Sequence, residues 1–415
     1  MNRKIVSLAG IALGFGALSA GCVPQSVQPI PAAQVAPVTE DLSPAAVASV
    51  MTRVADWQYA QFDPASNQFK SDGSADGHPL GWVPAVMYVG LVAHARSVGG
   101  EVYWDKLLRH AERNDWGMAP RLLNADDYAI GQLYLDLAAH YHEPEYARTT
   151  RQRLDHILSE DPHTSLEFVK SGYSEKIDGR DWPHVACRDR WCWCDALFMA
   201  PPVWMEMSRM TGDDRYAKFA DREFRATTDF LYDKQEHLYY RDSRFFPERS
   251  ETGEKVFWGR GNGWTIGGLA RTIEQMPAGI EREWYERIFR ESATKLASLQ
   301  TPQGYWSSSL LSPSIGENPE TSGTGLIVYA LAWGVNRGLL DRATFEPVID
   351  KGWLALVRAV HADGKLGWVQ QVAAAPGAAT FEDSQLYGVG AFLMAGEQVL
   401  RLRSRPSDHA PAAKL

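Results

Sequence analysis

Six segments of the 415-residue chain are apolar around their whole circumference when wound as helices, and few folds can hide them all. They are residues 81–95 (GWVPAVMYVGLVAHA), 126–140 (DDYAIGQLYLDLAAH), 193–207, 261–274 (GNGWTIGGLARTIE), 322–336 (SGTGLIVYALAWGVN) and 384–400 (SQLYGVGAFLMAGEQVL). Between them run amphipathic, more charged segments: 44–62, 101–114, 145–160, 213–232, 281–300 and 342–361. A helix without a polar face belongs inside, whereas one with a charged stripe faces water. The alternation predicts an all-α chain: a closed ring of six helical hairpins, the (α/α)6 barrel, over residues 44–403. An open solenoid of helix pairs is the alternative, because the repeat spacing is irregular. No stretch sustains period-two alternation, so extended strands are not expected.

If alternate helices run in the same direction, all inner N-termini open on one face. Trp82, Asp126, Asp127, Trp193, Asp195, residues 260–264, residues 320–324 and Ser384 then converge on one cavity from far apart in sequence. An apolar pocket with a few convergent polar groups is the form of a small-molecule site.

Asp195 sits in the block W-C-W-C-D-A-L-F-M-A-P-P, residues 191–202. Burial among aromatic rings disfavours a carboxylate anion and raises the pKa, the state a general acid needs near neutral pH. A helix-capping role is the plainer reading, and the dipole of a following helix would favour the anion. A second carboxylate from Asp126-Asp127 would raise the Asp195 pKa by repulsion or hold hydroxyl groups. One of that pair is expected simply to cap its helix.

The block around Arg260-Gly261-Asn262-Gly263-Trp264, preceded by Trp258, offers two indole faces for a sugar ring and a planar fork for a carboxylate. Its two glycines permit positive φ and close backbone approach. A Gly-Asn-Gly turn with a solvated Arg260 is the plainer reading. His184 and the Arg188-Asp189-Arg190 run are expected in a loop over the cavity, and Tyr239-Tyr240-Arg241-Asp242 at its rim. Residues 319–324 (PETSGT) read as a helix cap, and Gly267-Gly268 as a close helix crossing. No nucleophile elbow, zinc-protease, P-loop or dinucleotide motif is present.

A net charge of −9, without a basic run, argues against nucleic acid as a partner. The N-terminus reads as an export signal over residues 1–21: Asn2-Arg3-Lys4, an apolar stretch, then Ser19-Ala20-Gly21-Cys22. The last four resemble a lipobox, with Ser19 where an aliphatic residue is usual, so Cys22 is expected to carry a lipid. That would give a periplasmic or outer-membrane lipoprotein, and a plain cleaved signal is the alternative. Residues 22–43 read as a flexible tether and 404–415 as a polar tail. Cys187, Cys192 and Cys194 are expected as buried thiols beside Asp195. A bridge from Cys187 to either of the others is the alternative, and their spacing does not suit zinc.

Together, W-C-D-A-L-F-M-A-P-P, T-G-D-D-R-Y, L-Y-Y-R-D-S-R, V-F-W-G-R-G-N-G-W and P-E-T-S-G-T resemble glycoside hydrolase family 105 over roughly residues 50–400. These are unsaturated rhamnogalacturonyl hydrolases, similar also to unsaturated glucuronyl hydrolases. The resemblance implies the (α/α)6 barrel, Asp195 as catalytic acid/base, and an Asp of the 126–127 pair, preferably Asp127, as second carboxylate. It implies Trp258, Arg260 and Trp264 as contacts of the unsaturated uronate. Some family members carry His near the place of Arg241, a departure that bears on one sugar contact.

The implied chemistry is hydration of a 4,5-unsaturated uronic acid at the non-reducing end of a pectin- or rhamnogalacturonan-lyase fragment, with no metal or organic cofactor. Alternatives are a glucuronyl hydrolase acting on ulvan or glycosaminoglycan fragments, a glycan-binding lipoprotein, and a polysaccharide lyase on a similar barrel.

Overall fold

The structure, a computed structural model, describes residues 39–70, 78–177, 179–312 and 318–404. The expected export segment, Cys22, the tether up to residue 38 and the tail beyond Ser404 lie outside the described residues. Helices fall where the apolar and striped segments predict them. Outer α1 (Pro44–Ala60) leads to inner α2 (Trp82–His94), and α3 (Glu101–Arg113) leads to α4 (Ala125–Tyr128) and α5 (Gly131–Tyr141). Outer α6 (Arg148–Glu160) precedes α7 (Ala196–Met199) and α8 (Pro201–Thr211), and α9 (Asp214–Leu231) precedes α10 (Gly259–Gln275). The last two pairs are α11 (Arg282–Ser298) with α12 (Thr321–Asn336), and α13 (Arg342–Arg358) with α14 (Leu386–Arg403).

The inner helices form a closed ring. α2 packs on α5, α5 on α8, α8 on α10, α10 on α12, α12 on α14, and α14 returns to α2. The open solenoid is thereby excluded, and the chain is an (α/α)6 barrel. α12 is buried along its whole length, as a helix without a polar face must be. Each large aliphatic side chain hidden in this way contributes roughly 1.5–3 kcal/mol. The ring closes at a backbone-to-backbone crossing of α2 and α14. A Cβ on Gly390 would stand 2.2 Å from the Val86 carbonyl oxygen, and one on Gly90 would stand 2.4 Å from that of Gly390.

Two inner helices are broken where the sequence predicts continuous ones, and both breaks lie at the mouth of the barrel. The stretch expected as one helix from residue 193 starts only at Ala196 and restarts at Pro201. Proline lacks an N–H and suits the first turn of a helix, so Pro201-Pro202 begins α8 rather than continuing α7. Likewise α4 is a single turn before α5. Three short antiparallel hairpins also occur: β1 (Phe62–Asp63) with β2 (Gln68–Phe69), β3 (Ser174–Ile177) with β4 (Arg180–Pro183), and β5 (Tyr232–Asp233) with β6 (Leu238–Tyr239). Strands this short leave no alternation to read.

Candidate active site

Asp195 precedes α7 with helical backbone angles, and its side chain makes no capping bond. The helix it precedes is one turn long, so the dipole expected to favour its anion is nearly absent. Its Oδ2 lies 3.6 Å from Nε of Arg241, and the Cys194 thiol donates to the same oxygen at 3.4 Å. The Cys194 N–H donates to the Arg241 carbonyl at 2.9 Å, which ties the W-C-W-C-D and Y-Y-R-D segments together. Burial raises the Asp195 pKa above its ordinary 3.8, against the pull of Arg241, Arg260 and the Cys194 hydrogen bond. Burial pushes the Cys194 thiol far upward as well, so it remains a proton donor.

Asp126 and Asp127 separate into different roles. Asn124 caps α4 by accepting from the Asp126 N–H, so neither aspartate is the cap. Asp127 is buried and bound by Arg121 through Nε at 3.0 Å and Nη2, with the Arg121 N–H donating at 2.7 Å. Asp126 is the member that feels Asp195. Burial first, then Asp127 and Asp195, lift its pKa to about 6, with Arg121 and Arg188 opposing. The geometry thus favours Asp126 over Asp127 as the second carboxylate.

The W-G-R-G-N-G-W block is not a turn but the first two turns of α10. Neither Gly261 nor Gly263 has positive φ. Gly261 serves close approach instead: a Cβ there would stand 3.0 Å from the Cys194 sulfur. Arg260 is fully buried and donates Nη1 to the Gln370 carbonyl at 2.7 Å and Nη2 to that of Gln371 at 3.0 Å. Its fork therefore grips the protein's own backbone and acts on Asp195 only through space.

Both indole faces expected to meet a sugar are likewise used internally. The Arg260 guanidinium stacks 4.4 Å over Trp258, whose N–H donates to Gln370 Oε1 at 2.9 Å. Trp264 is fully buried, edge-on to Trp82 at 6.1 Å and tilted on Phe198 at 5.0 Å. Trp82 is the partly exposed member of this layer and lies 5.0 Å from the Tyr387 ring.

His184 stands after β4, bonded to Ser171 Oγ at 2.6 Å, 3.6 Å from Glu175 and stacked on Tyr173. With Arg121, Trp182 and Arg188 it lines a cavity of about 520 Å³ beneath the β3–β4 hairpin. The cysteine expectation is corrected: Cys187 and Cys192 are bridged, their Cα atoms 5.6 Å apart, and among the described residues Cys194 is the free thiol. That separation falls within the range a disulfide spans.

Sequence reading missed Gln370, Gln371, Gln385 and Tyr387. Gln371 pairs with Gln385, and Tyr387 donates to the Gln370 carbonyl. No motif marks them: Gln370 and Gln371 are ordinary amides in the segment that Arg260 holds, and Gln385 and Tyr387 stand at the start of α14. Glu320 caps α12 as expected, accepting from Ser322 and Gly323 N–H at 3.0 and 2.7 Å, and it also receives the Gln370 N–H at 3.3 Å.

A helical cup with two largely buried acids of raised pKa at its mouth is a form suited to glycoside chemistry, and the chain belongs to Glycosyl Hydrolase Family 88, whose family model matches residues 50–403. It is 37% identical to an unsaturated 3S-rhamnoglycuronyl hydrolase of Alteromonas sp. (strain LOR), over 96% of this chain and 99% of that protein. A protein of the same description from Formosa agariphila is 38% identical over 78% of this chain and 85% of its own length. Among solved structures, a family 88 glycosyl hydrolase from Bacteroides vulgatus superposes with a TM-score of 0.73 at 28% identity, covering 86% of this chain and 99% of that one. A protein described as a polysaccharide lyase matches with the same TM-score at 27% identity, over 88% of this chain and 99% of that one.

Proposed function

We propose that this glycoside hydrolase removes a 4,5-unsaturated uronic acid from the non-reducing end of lyase-generated oligosaccharides by hydrating the enol ether. The observation that carries this reading is Asp195, a largely buried acid of raised pKa held between a thiol and a guanidinium. Protonated Asp195 donates its proton to C4 of the double bond, and positive charge develops at C5, shared with the ring oxygen. The new carboxylate then takes a proton from the water that attacks C5. The hemiketal so formed opens and releases the remaining sugar. Asp195 returns to its protonated state.

The opposing forces on Asp195 suit both halves of this cycle. Burial keeps the proton on before the first step, and Arg241 and Arg260 stabilise the anion between the two steps. General acid catalysis of this kind contributes about 10²- to 10⁴-fold. Asp126, when ionised, offsets the positive charge that forms at C5. Ordinary glycoside hydrolysis needs two carboxylates in separate acid and nucleophile or base roles, whereas hydration lets one residue serve twice.

The names of both relatives join a glycuronyl group to rhamnose, which favours a rhamnose-bearing fragment over a glycosaminoglycan one. Rhamnogalacturonan-lyase and ulvan-lyase products both meet that description. An exported form anchored through Cys22 suits such substrates, and the Cys187–Cys192 bridge favours an oxidising compartment.

The test is a panel of lyase-derived unsaturated disaccharides followed by ultraviolet absorbance. Loss of the double-bond absorbance with release of the second sugar is expected, most rapidly on the rhamnose-linked members. A gain of absorbance on intact polysaccharide would indicate a lyase, and unchanged absorbance with tight binding would indicate a glycan binder.

A further inference from the structure

The cavity beneath the β3–β4 hairpin contains a guanidinium that has no anionic partner among the described residues. Phe168 collects three of them: Arg244 at 3.9 Å from its ring centre, Arg188 at 5.3 Å and Arg241 at 5.6 Å. Arg241 and Arg244 share Asp242, Arg121 is taken by Asp127, and Arg190 is taken by Glu223. Arg188 has no ion pair or side-chain hydrogen bond among the described residues, although most of its surface is buried. Desolvation, Arg241, Arg121 and Arg244 act against its charge, and Asp126 supports it. A half-buried arginine in that state is poised for an incoming oxyanion, which its planar fork matches in geometry.

The cavity wall supports the same conclusion. The buried Trp182 indole N–H also lacks a hydrogen-bond partner among the described residues. Of the acids lining the space, Glu160 and Glu175 are exposed, and burial lifts the Asp189 carboxyl above its ordinary value. A volume of about 520 Å³ lies within the range of pockets that enclose small ligands. The Cys187–Cys192 bridge closes the short loop that carries Arg188 and so fixes where the guanidinium stands.

Position indicates which sugar is involved. Arg188 shares the Phe168 ring with Arg241, whose Nε stands 3.6 Å from the Asp195 carboxylate. Arg188 lines the cavity under the hairpin, whereas Asp195 and Arg241 do not, so it stands next to the proton donor's site on the side where the rest of the substrate would continue. Resting on the activity proposed above, we infer that Arg188 anchors an oxyanion substituent, a sulfate ester or a carboxylate, on the sugar that is released.

The test compares disaccharides that share one unsaturated uronate and differ in the released sugar: sulfated, enzymatically desulfated, and carboxylated. Arg188→Gln should lower the ratio of kcat/KM for anionic over uncharged substrate by about ten- to a hundredfold, through KM, as loss of a charge-assisted hydrogen bond does. Arg188→Lys, which retains the charge without the fork, should fall between and covers the case in which the first variant does not fold. A change confined to the sulfated substrate identifies a sulfate site, and a change on both anions identifies a general oxyanion site. An unchanged ratio, or equal loss on every substrate, overturns the assignment. Wild-type enzyme that consumes none of the disaccharides overturns the proposed activity instead.

Discussion

Asp126 is held where its neutral form is the more comfortable one. Its pKa of about 6 in the folded protein exceeds the ordinary 3.8 because of burial and two neighbouring carboxylates. Between those values the folded protein keeps a proton that the unfolded chain has released, so stability falls as pH rises through the window. Above it, the buried anion destabilises the fold by about 3 kcal/mol. Asp126→Asn should therefore raise the unfolding midpoint near pH 7.5, with a much smaller gain near pH 4.5. Thermal unfolding at both pH values checks this, and an equal shift at the two would contradict it. At this scale the sequence marks Asp195 well, because a lone acid in an aromatic block has few other uses. It does not tell Asp126 from Asp127, since only the fold reveals that Arg121 binds the latter. Nor does it reveal that Trp258 and Arg260 stack on each other.

The helices were legible from apolar periodicity, whereas the irregular segments between them were not. Each break at the mouth has a local cause: Pro201 restarts a helix, and the single turn of α4 is capped by Asn124. These breaks free Asp126 and Asp195 from long helices whose dipoles would hold them as anions. The loop from Cys187 to Cys192 belongs to the same class of element, and three cysteines in the eight positions 187–194 do not announce which two will pair. Closing so short a loop stabilises the chain by about 2 kcal/mol in the chain-entropy view. The paired variant Cys187→Ser with Cys192→Ser should lose about that much in equilibrium unfolding. A reductant should shift the wild-type curve and leave the variant unmoved, and a variant as stable as wild type would contradict the bridge's role.

For the whole molecule, the closed ring brings together residues separated by most of the chain: Trp82 packs on Tyr387, and Arg260 holds Gln370. The alternation of buried and striped helices was enough to foresee that closure, because an unstriped helix has no stable place outside it. What it could not foresee is the layer of amides at 370, 371 and 385, whose positions depend on the finished barrel. The ring's function comes down to a proton on Asp195, and one comparison tests it most directly. Wild-type protein and Asp195→Asn are incubated with the same unsaturated rhamnose-linked disaccharide, with helical content and unfolding midpoint measured alongside. Loss of ultraviolet absorbance in the wild type, and none in an equally folded variant, is the expected result. Undiminished turnover by Asp195→Asn would contradict it.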